Sequence, residues 1–221
     1  MRLQPIMNEE INMKIAVVCA NGKEGRLVVK EALDRGLDVT AIVRGENKTV
    51  AKQFILKDLF SLTSDDLAPF DVIVDAFGAW TEDVLSNHSK SLMHLCDLIS
   101  GTKKRLLVVG GAGSLYVNKE HTAVVSDSPD FPAAFLPLAK AQGKALSDLR
   151  KRDDVLWTFI SPACDFQVDG ERTGSYILAG EELKLNERGE SIISYADYAI
   201  ALVDEIVNGN HIKERISVVR K

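Results

Sequence analysis

The chain is short of cysteine and gives its few cysteines no pairing pattern. Cys19, Cys96 and Cys164 are odd in number, widely scattered and set among apolar or small neighbours. That excludes a disulfide framework and suits reduced, partly buried thiols. The four histidines fall at no metal-ligand spacing, so no metal is expected. No apolar run approaches the roughly 20 residues of a membrane helix, and no signal-peptide pattern is visible. Long Lys/Arg runs are also missing. With a formal net charge of -5 the chain is not expected to bind nucleic acid, and Lys103-Lys104-Arg105 reads as a solvated turn before a strand. The absences together imply a cytoplasmic protein whose partner is a small molecule. No repeat, linker or low-complexity tract interrupts the chain, and 46% hydrophobic content over 221 residues can bury one proper core.

What is present begins at Lys14. Ile15 to Val18 form a short apolar, β-branched run, and Gly22 and Gly25 follow three apart before an amphipathic stretch that starts near Arg26. Strand, glycine turn and helix in this order present backbone N–H groups and a positive helix end to a phosphate, the arrangement of a pyrophosphate cradle. The spacing departs from GxGxxG. Cys19 stands where the first glycine would be, at a position whose tight turn a Cβ atom resists, so cofactor affinity depends on how this turn accommodates it.

The rest of the chain alternates in the same manner. Val28, Val29, Ala32 and Leu33 supply a first buried helix face ended by Gly36, and Asp38 to Val43 read as a second strand. Arg44 closes that strand where an acidic residue would hold a ribose 2′-hydroxyl; an arginine suits a 2′-phosphate, or is a solvated strand end. Short strands are expected over Phe54 to Leu56 and Val72 to Ala76, with Phe77-Gly78-Ala79 at the ligand-binding edge. A helix from Leu85 carries a stripe of Leu85, His88, Leu92, Leu95, Cys96 and Ile99, on which His88 reads as a hydrogen-bonded core histidine.

Arg105 to Val109 make a fifth strand, ending in three glycines among Gly110-Gly111-Ala112-Gly113. Close backbone approach to a flat ligand would explain them. Ser114 is then either a hydroxyl facing a nicotinamide or a capping serine. Residues 117 to 132 read as a long substrate-side loop, and Pro137 to Arg152 as a helix with Leu138, Ala141, Ala145, Leu146 and Leu149 on its buried face. Leu156 to Ile160 and Ile216 to Val219 are strands, and Ser194 caps a last helix with Asp197 at its third position. The expected fold is α/β, a Rossmann-type doubly wound parallel sheet over residues 13–221, with a small irregular C-terminal lobe at 165–190 and a loose extension at 1–12.

The segments Ala20 to Arg26, Val43-Arg44, Asp75 to Ala79, Val108 to Leu115, Trp157 to Ala163 and Ser194 to Ala199 together resemble the atypical short-chain dehydrogenase/reductases. Within them the chain is similar to the NAD(P)H-binding proteins grouped with NADH-flavin reductases and biliverdin IXβ reductase, and more distantly to NmrA-type regulators. The resemblance implies a dinucleotide across the strand ends. Carried over by position, it sets Cys19, Asn21, Gly22, Lys23, Glu24, Gly25 and Arg26 at the pyrophosphate and Arg44 at the adenosine phosphate. Asp58 and Leu59 fall at the adenine, Phe77 and Gly78 at the ribose, and Gly110, Gly111, Ser161 and Pro162 near the nicotinamide. The usual threonine of the turn is Asn21. The superfamily's YxxxK pair is also missing: Lys140 is present, but Leu136 occupies the tyrosine position.

Two functions fit these residues. One is an NAD(P)H-dependent oxidoreductase, favouring NADP(H), that passes hydride to a flavin or other planar conjugated acceptor and needs no catalytic tyrosine. The other is a non-catalytic NAD(P)-binding redox sensor of the NmrA type, which the missing tyrosine suits equally.

Overall fold

In the computed structural model, which describes residues 13–221, the apolar run before the glycine turn is strand β1 (Lys14–Val18). The expected extension over residues 1–12 lies outside the described residues. Ile15 to Val18 are wholly buried because helices cover both faces of the sheet, and a strand so enclosed reads as a continuous apolar run. The same reasoning accounts for β2 (Asp38–Val43), β4 (Val72–Asp75), β5 (Arg105–Val109) and β6 (Leu156–Ser161). β3 (Gln53–Leu56) is an edge strand, and its Phe54 and Leu56 are exposed.

The sheet runs β3-β2-β1-β4-β5-β6-β10-β8, where β8 is Tyr176–Ala179 and β10 is Glu214–Arg220. Every neighbouring pair is parallel except β10 with β8. This is a Rossmann-type α/β fold. Strand order reverses direction between β1 and β4, which opens a crevice at the carboxyl ends of those strands. Helices α1 (Lys23–Asp34) and α5 (Tyr195–Asn208) cover one face through Val28, Val29, Ala32, Leu202 and Val203. Helices α3 (Asn87–Ile99) and α4 (Leu136–Leu149), with the one-turn α2 (Ser64–Leu67), cover the other through Leu92, Leu95, Ile99, Leu146 and Leu149.

Three expectations need correcting. Helix α1 begins at Lys23 rather than near Arg26, because Gly22 serves as an extended N-cap immediately after the turn. Helix α4 buries Ala139, whereas Leu138 and Ala141 are only half-buried; the small Ala139 side chain lets the helix approach Gly113 closely. Residues 165–190 are also more regular than their weak pattern suggests. β7 (Asp165–Gln167) pairs in parallel with β9 (Ile192–Ser194), and β8 leaves this region to join the main sheet. Strands of three and four residues are too short to display an alternation.

Ser194 caps α5 by accepting a hydrogen bond from the Asp197 N–H at 3.0 Å. Asp197, fully buried, then accepts from Thr173 Oγ1 at 2.6 Å and from the Gly174 N–H at 2.9 Å. One carboxylate thereby ties the irregular segment to the helix that faces the crevice.

Candidate active site at the strand ends

A cleft of about 1070 Å³ runs along the carboxyl ends of β2, β1, β4 and β5. Its first wall is the glycine turn. Cys19 holds φ +60°, the left-handed conformation expected to demand glycine, and its carbonyl accepts the Gly22 N–H at 2.9 Å. Such a backbone costs about 1–2 kcal/mol for a residue with a Cβ. Burial, reinforced by the nearby Asp75 carboxylate, pushes the Cys19 thiol up to about 12, so it stays protonated and unreactive.

Gly22 ends the turn and no side chain caps α1, which leaves the first-turn N–H groups of the helix without a capping partner beside the cleft. Asn21 works on the protein instead. Its Nδ2 donates to the Glu46 carbonyl at 2.8 Å and its Oδ1 accepts from the Lys48 N–H at 2.8 Å, fastening the turn to the loop that follows Arg44. Arg44 and Lys23 are exposed on the cleft wall beside the half-buried Lys57, which pairs with Asp66 at 2.6 Å. Asp58 accepts from the Phe60 N–H at 2.9 Å and caps the short helix Leu59–Ser61, whose Leu59 is buried under the same end of the cleft. Glu24 also borders the cleft; it is buried, both its carboxyl oxygens lack a partner, and burial raises its pKa well above the ordinary value.

The middle of the cleft is built after β4. Asp75 accepts from the Phe77 N–H at 3.0 Å, and complete burial raises its pKa to about 6 against that hydrogen bond. Phe77 meets the His88 ring edge-on, and His88 Nε2 lies 3.0 Å from the Ala79 carbonyl. His88 is thus the bonded, buried histidine of the helix stripe, its pKa lowered by burial, yet its ring also borders the cleft. Behind Phe77, Asp75, His88 and Gln142 line a cavity of about 20 Å³, room for one water.

Cys19, Asn21, Gly22, Lys23, Glu24, Arg44, Asp58, Leu59, Phe77, Gly78 and Gly110 all meet at this cleft. Gly25, Arg26, Gly111, Ser114, Ser161 and Pro162 stand outside its wall. Gly25 is needed for packing, since a Cβ there would lie 2.9 Å from Ala20 Cα. The Arg26 N–H is spent on the Gly22 carbonyl at 3.0 Å. The run after β5, Gly110 at the cleft edge included, is packed against protein: added Cβ atoms would sit 2.2 Å from Phe159 Cε1 at Gly110, 2.0 Å from Gln142 Oε1 at Gly111 and 2.6 Å from Ala139 Cβ at Gly113. Ser114 turns away from the cleft, where its Oγ accepts from Arg215 Nη1 at 3.3 Å. Ser161 and Pro162 are buried.

Sequence reasoning missed Trp80, Leu138, Gln142, Phe166 and Tyr195, all of which border the cleft. Leu138 and Gln142, four apart on α4, carried a usable signal as a second helix face. Phe166 and Tyr195 were not discernible; their rings meet tilted, with centroids 3.9 Å apart, only because β7 lies against the start of α5. Lys140 is exposed and stands outside the cleft.

The residues fit a dinucleotide phosphate: uncapped N–H groups of a twelve-residue helix, three cationic side chains on the wall and a crevice at the strand-order reversal. Among the described residues no helix is long and apolar enough to cross a membrane. Residues 19–207 match the model of a family described as NAD(P)H-binding. An uncharacterized Bacillus subtilis protein, YwnB, is 45% identical over 210 residues, covering 94% of this chain and 98% of its own. The crystal structure of a Streptococcus pneumoniae protein provisionally named an NADH-flavin reductase is 57% identical, superposes with a TM-score of 0.93 and covers 95% of this chain and all of its own. A Bacteroides thetaiotaomicron protein provisionally named an epimerase is 32% identical, with a TM-score of 0.83 over 94% of this chain and 97% of its own. An uncapped helix end beside the cleft, a crevice at the strand reversal and a family match over residues 19–207 agree, and the chain belongs to the NAD(P)H-binding family.

Proposed function

We propose that the protein is an NAD(P)H-dependent oxidoreductase that passes hydride to a flavin or another planar conjugated acceptor. The observation that carries this reading is the acceptor end of the cleft. Leu136, at the superfamily tyrosine position, and the exposed Lys140 both stand outside its wall, while Trp80, Leu138, Phe166 and Tyr195 border it with aromatic and apolar surface. Such a surface stacks a flat ring and orients it, and offers no lysine-activated phenol for protonating an alkoxide. The name of the Streptococcus pneumoniae relative supports the same acceptor class.

The first turn of α1 and Lys23 hold the pyrophosphate in this reading, and Arg44 takes a 2′-phosphate, which favours NADP(H) over NAD(H). When bound, the nicotinamide supplies the hydride. The chain's own contribution is to bind, to align the two rings and to shield their contact from water, and the proton that accompanies the hydride comes from solvent. The charge and composition favour a cytoplasmic site of action and neither a nucleic-acid nor a membrane partner.

The test is calorimetric titration with NADPH and NADH, followed on the same sample by oxidation of bound NADPH with FMN, FAD and a panel of quinones. Tight NADPH binding with turnover is the expected result. Binding without turnover on any acceptor would overturn the enzyme in favour of a dinucleotide sensor.

A further inference from the structure

Glu24 is the buried acidic residue on the wall of the phosphate end, where Asp58 is exposed. Glu24 occupies the first turn of α1, where the N–H groups and the helix dipole favour an anionic ligand, yet it carries a carboxyl group of its own. The residue is 6% exposed and borders the cleft, and neither Oε1 nor Oε2 has a hydrogen-bond partner. A partnerless buried carboxylate is far more costly than a neutral acid, and the helix dipole favours the charge only modestly. Burial accordingly raises the Glu24 pKa, and burial first, with the nearby Glu24 second, raises those of Tyr195 and Tyr198 at the start of α5.

We infer that Glu24 is a proton-linked control on the phosphate end of the cleft: the neutral acid admits a dinucleotide's pyrophosphate, and ionisation of Glu24 expels it. The inference rests on the dinucleotide reading above. A second negative charge beside a pyrophosphate in a desolvated wall is repelled by it, so ligand binding and proton binding at Glu24 support one another. Asp75, buried behind Phe77 at the end of β4, is pushed up to about 6 and ionises mainly below pH 7, and the other groups on these walls do not supply the effect. Tyr195 and Tyr198 on α5 stay neutral because burial raises them, the Cys19 thiol after β1 is pushed up to about 12, and burial lowers the His88 pKa so that the ring stays neutral. Lys23 on α1, Arg44 after β2, and Lys57 and Asp58 after β3 are the charged groups facing the cleft.

NADH is the probe, because its pyrophosphate has no titrating group between pH 6.5 and 9 and it lacks the 2′-phosphate. Calorimetry across that range, in two buffers of different ionisation enthalpy, should show a Kd that rises at least tenfold toward pH 9 and net proton uptake on binding at the upper end. Glu24→Gln should flatten the Kd profile and abolish the proton uptake; Glu24→Leu, of similar size, serves if the amide fails to fold. Thermal unfolding of ligand-free protein gives an independent reading. The raised folded-state pKa means that the contribution of Glu24 to stability is full in acid and lost as pH rises, so Glu24→Gln should gain Tm relative to wild type at pH 9. A Kd that rises equally in wild type and both variants, or no proton uptake, overturns the control while leaving the cofactor assignment standing. No NADH or NADPH binding by any form at any pH overturns the cofactor assignment and the control with it.

Discussion

The turn after β1 and the turn after β5 are both glycine-bearing strand ends at one sheet edge, and they use glycine in different ways. Gly22 is exposed beside the cleft, and the nearest atom to an added Cβ there is the Cys19 carbonyl oxygen, 3.3 Å away. Gly110, Gly111 and Gly113 are pressed against Phe159, Gln142 and Ala139. The first turn leaves room for something outside the chain; the second lets a strand, a helix and a core ring close on one another. A run of glycines at a strand end therefore signals close approach without saying what approaches.

The sharpest way to break this contrast is Gly110→Ala. Its Cβ meets a buried ring at 2.2 Å and the Ile160 carbonyl oxygen at 2.8 Å, neither able to withdraw, so a loss of about 3 kcal/mol or more is expected in denaturant unfolding. Gly111→Ala meets first the far end of the Gln142 side chain, which can swing aside, and should cost about 1 kcal/mol. Equal costs at the two positions would show that the run is not packed as described.

Asp75, at the end of β4 between the two turns, should produce the next largest effect. Its folded-state pKa of about 6 lies above the ordinary 3.8, so the folded protein binds the proton more tightly than the unfolded chain. Stability from this group is full below pH 4 and lost as pH rises through 6, by about 3 kcal/mol at most. Asp75→Asn should remove that loss, and unfolding of both forms at pH 4 and pH 7 measures it. Parallel pH profiles would place the ionised carboxylate in the native core.

Arg44→Ala sharpens the ligand-facing half of the contrast. Losing a charge-assisted contact worth about 1.5–3 kcal/mol should weaken NADPH roughly ten- to hundredfold while NADH changes little. Similar losses for both cofactors, read by calorimetry, would sink the 2′-phosphate assignment. Cys19→Gly should have the smallest effect. It relieves the left-handed backbone but adds unfolded-state freedom, for a net gain of at most about 1 kcal/mol, with tighter cofactor binding if the strain opposes it. Unchanged affinity would mean the turn accommodates the side chain at no cost to the ligand.

The sheet from β1 to β6 was legible because buried parallel strands are apolar throughout and the helices between them repeat at helical spacing. The stripe from Leu85 to Ile99 is buried at every position named from the sequence. Leu138 was assigned to the core and lies instead on the cleft, since a helix with apolar residues on adjacent faces does not say which of them the sheet receives. Tyr176–Ala179 was not legible as a sheet strand, because its antiparallel partner Glu214–Arg220 comes 35 residues or more later and only the closed sheet aligns them.

By itself the sequence determined the alternation of strand and helix, the glycine turn between the first strand and the first helix, and the absence of a tyrosine from the superfamily position. Each of these is written in local spacing, where a side chain's chemistry and its neighbours decide the outcome. Tertiary structure alone decided that Glu24 would be buried without a partner, that Ser114 would turn to Arg215, and that Phe166, Tyr195 and Trp80 would share one cleft. Burial and convergence depend on which distant elements close over a residue, and no local pattern carries that information.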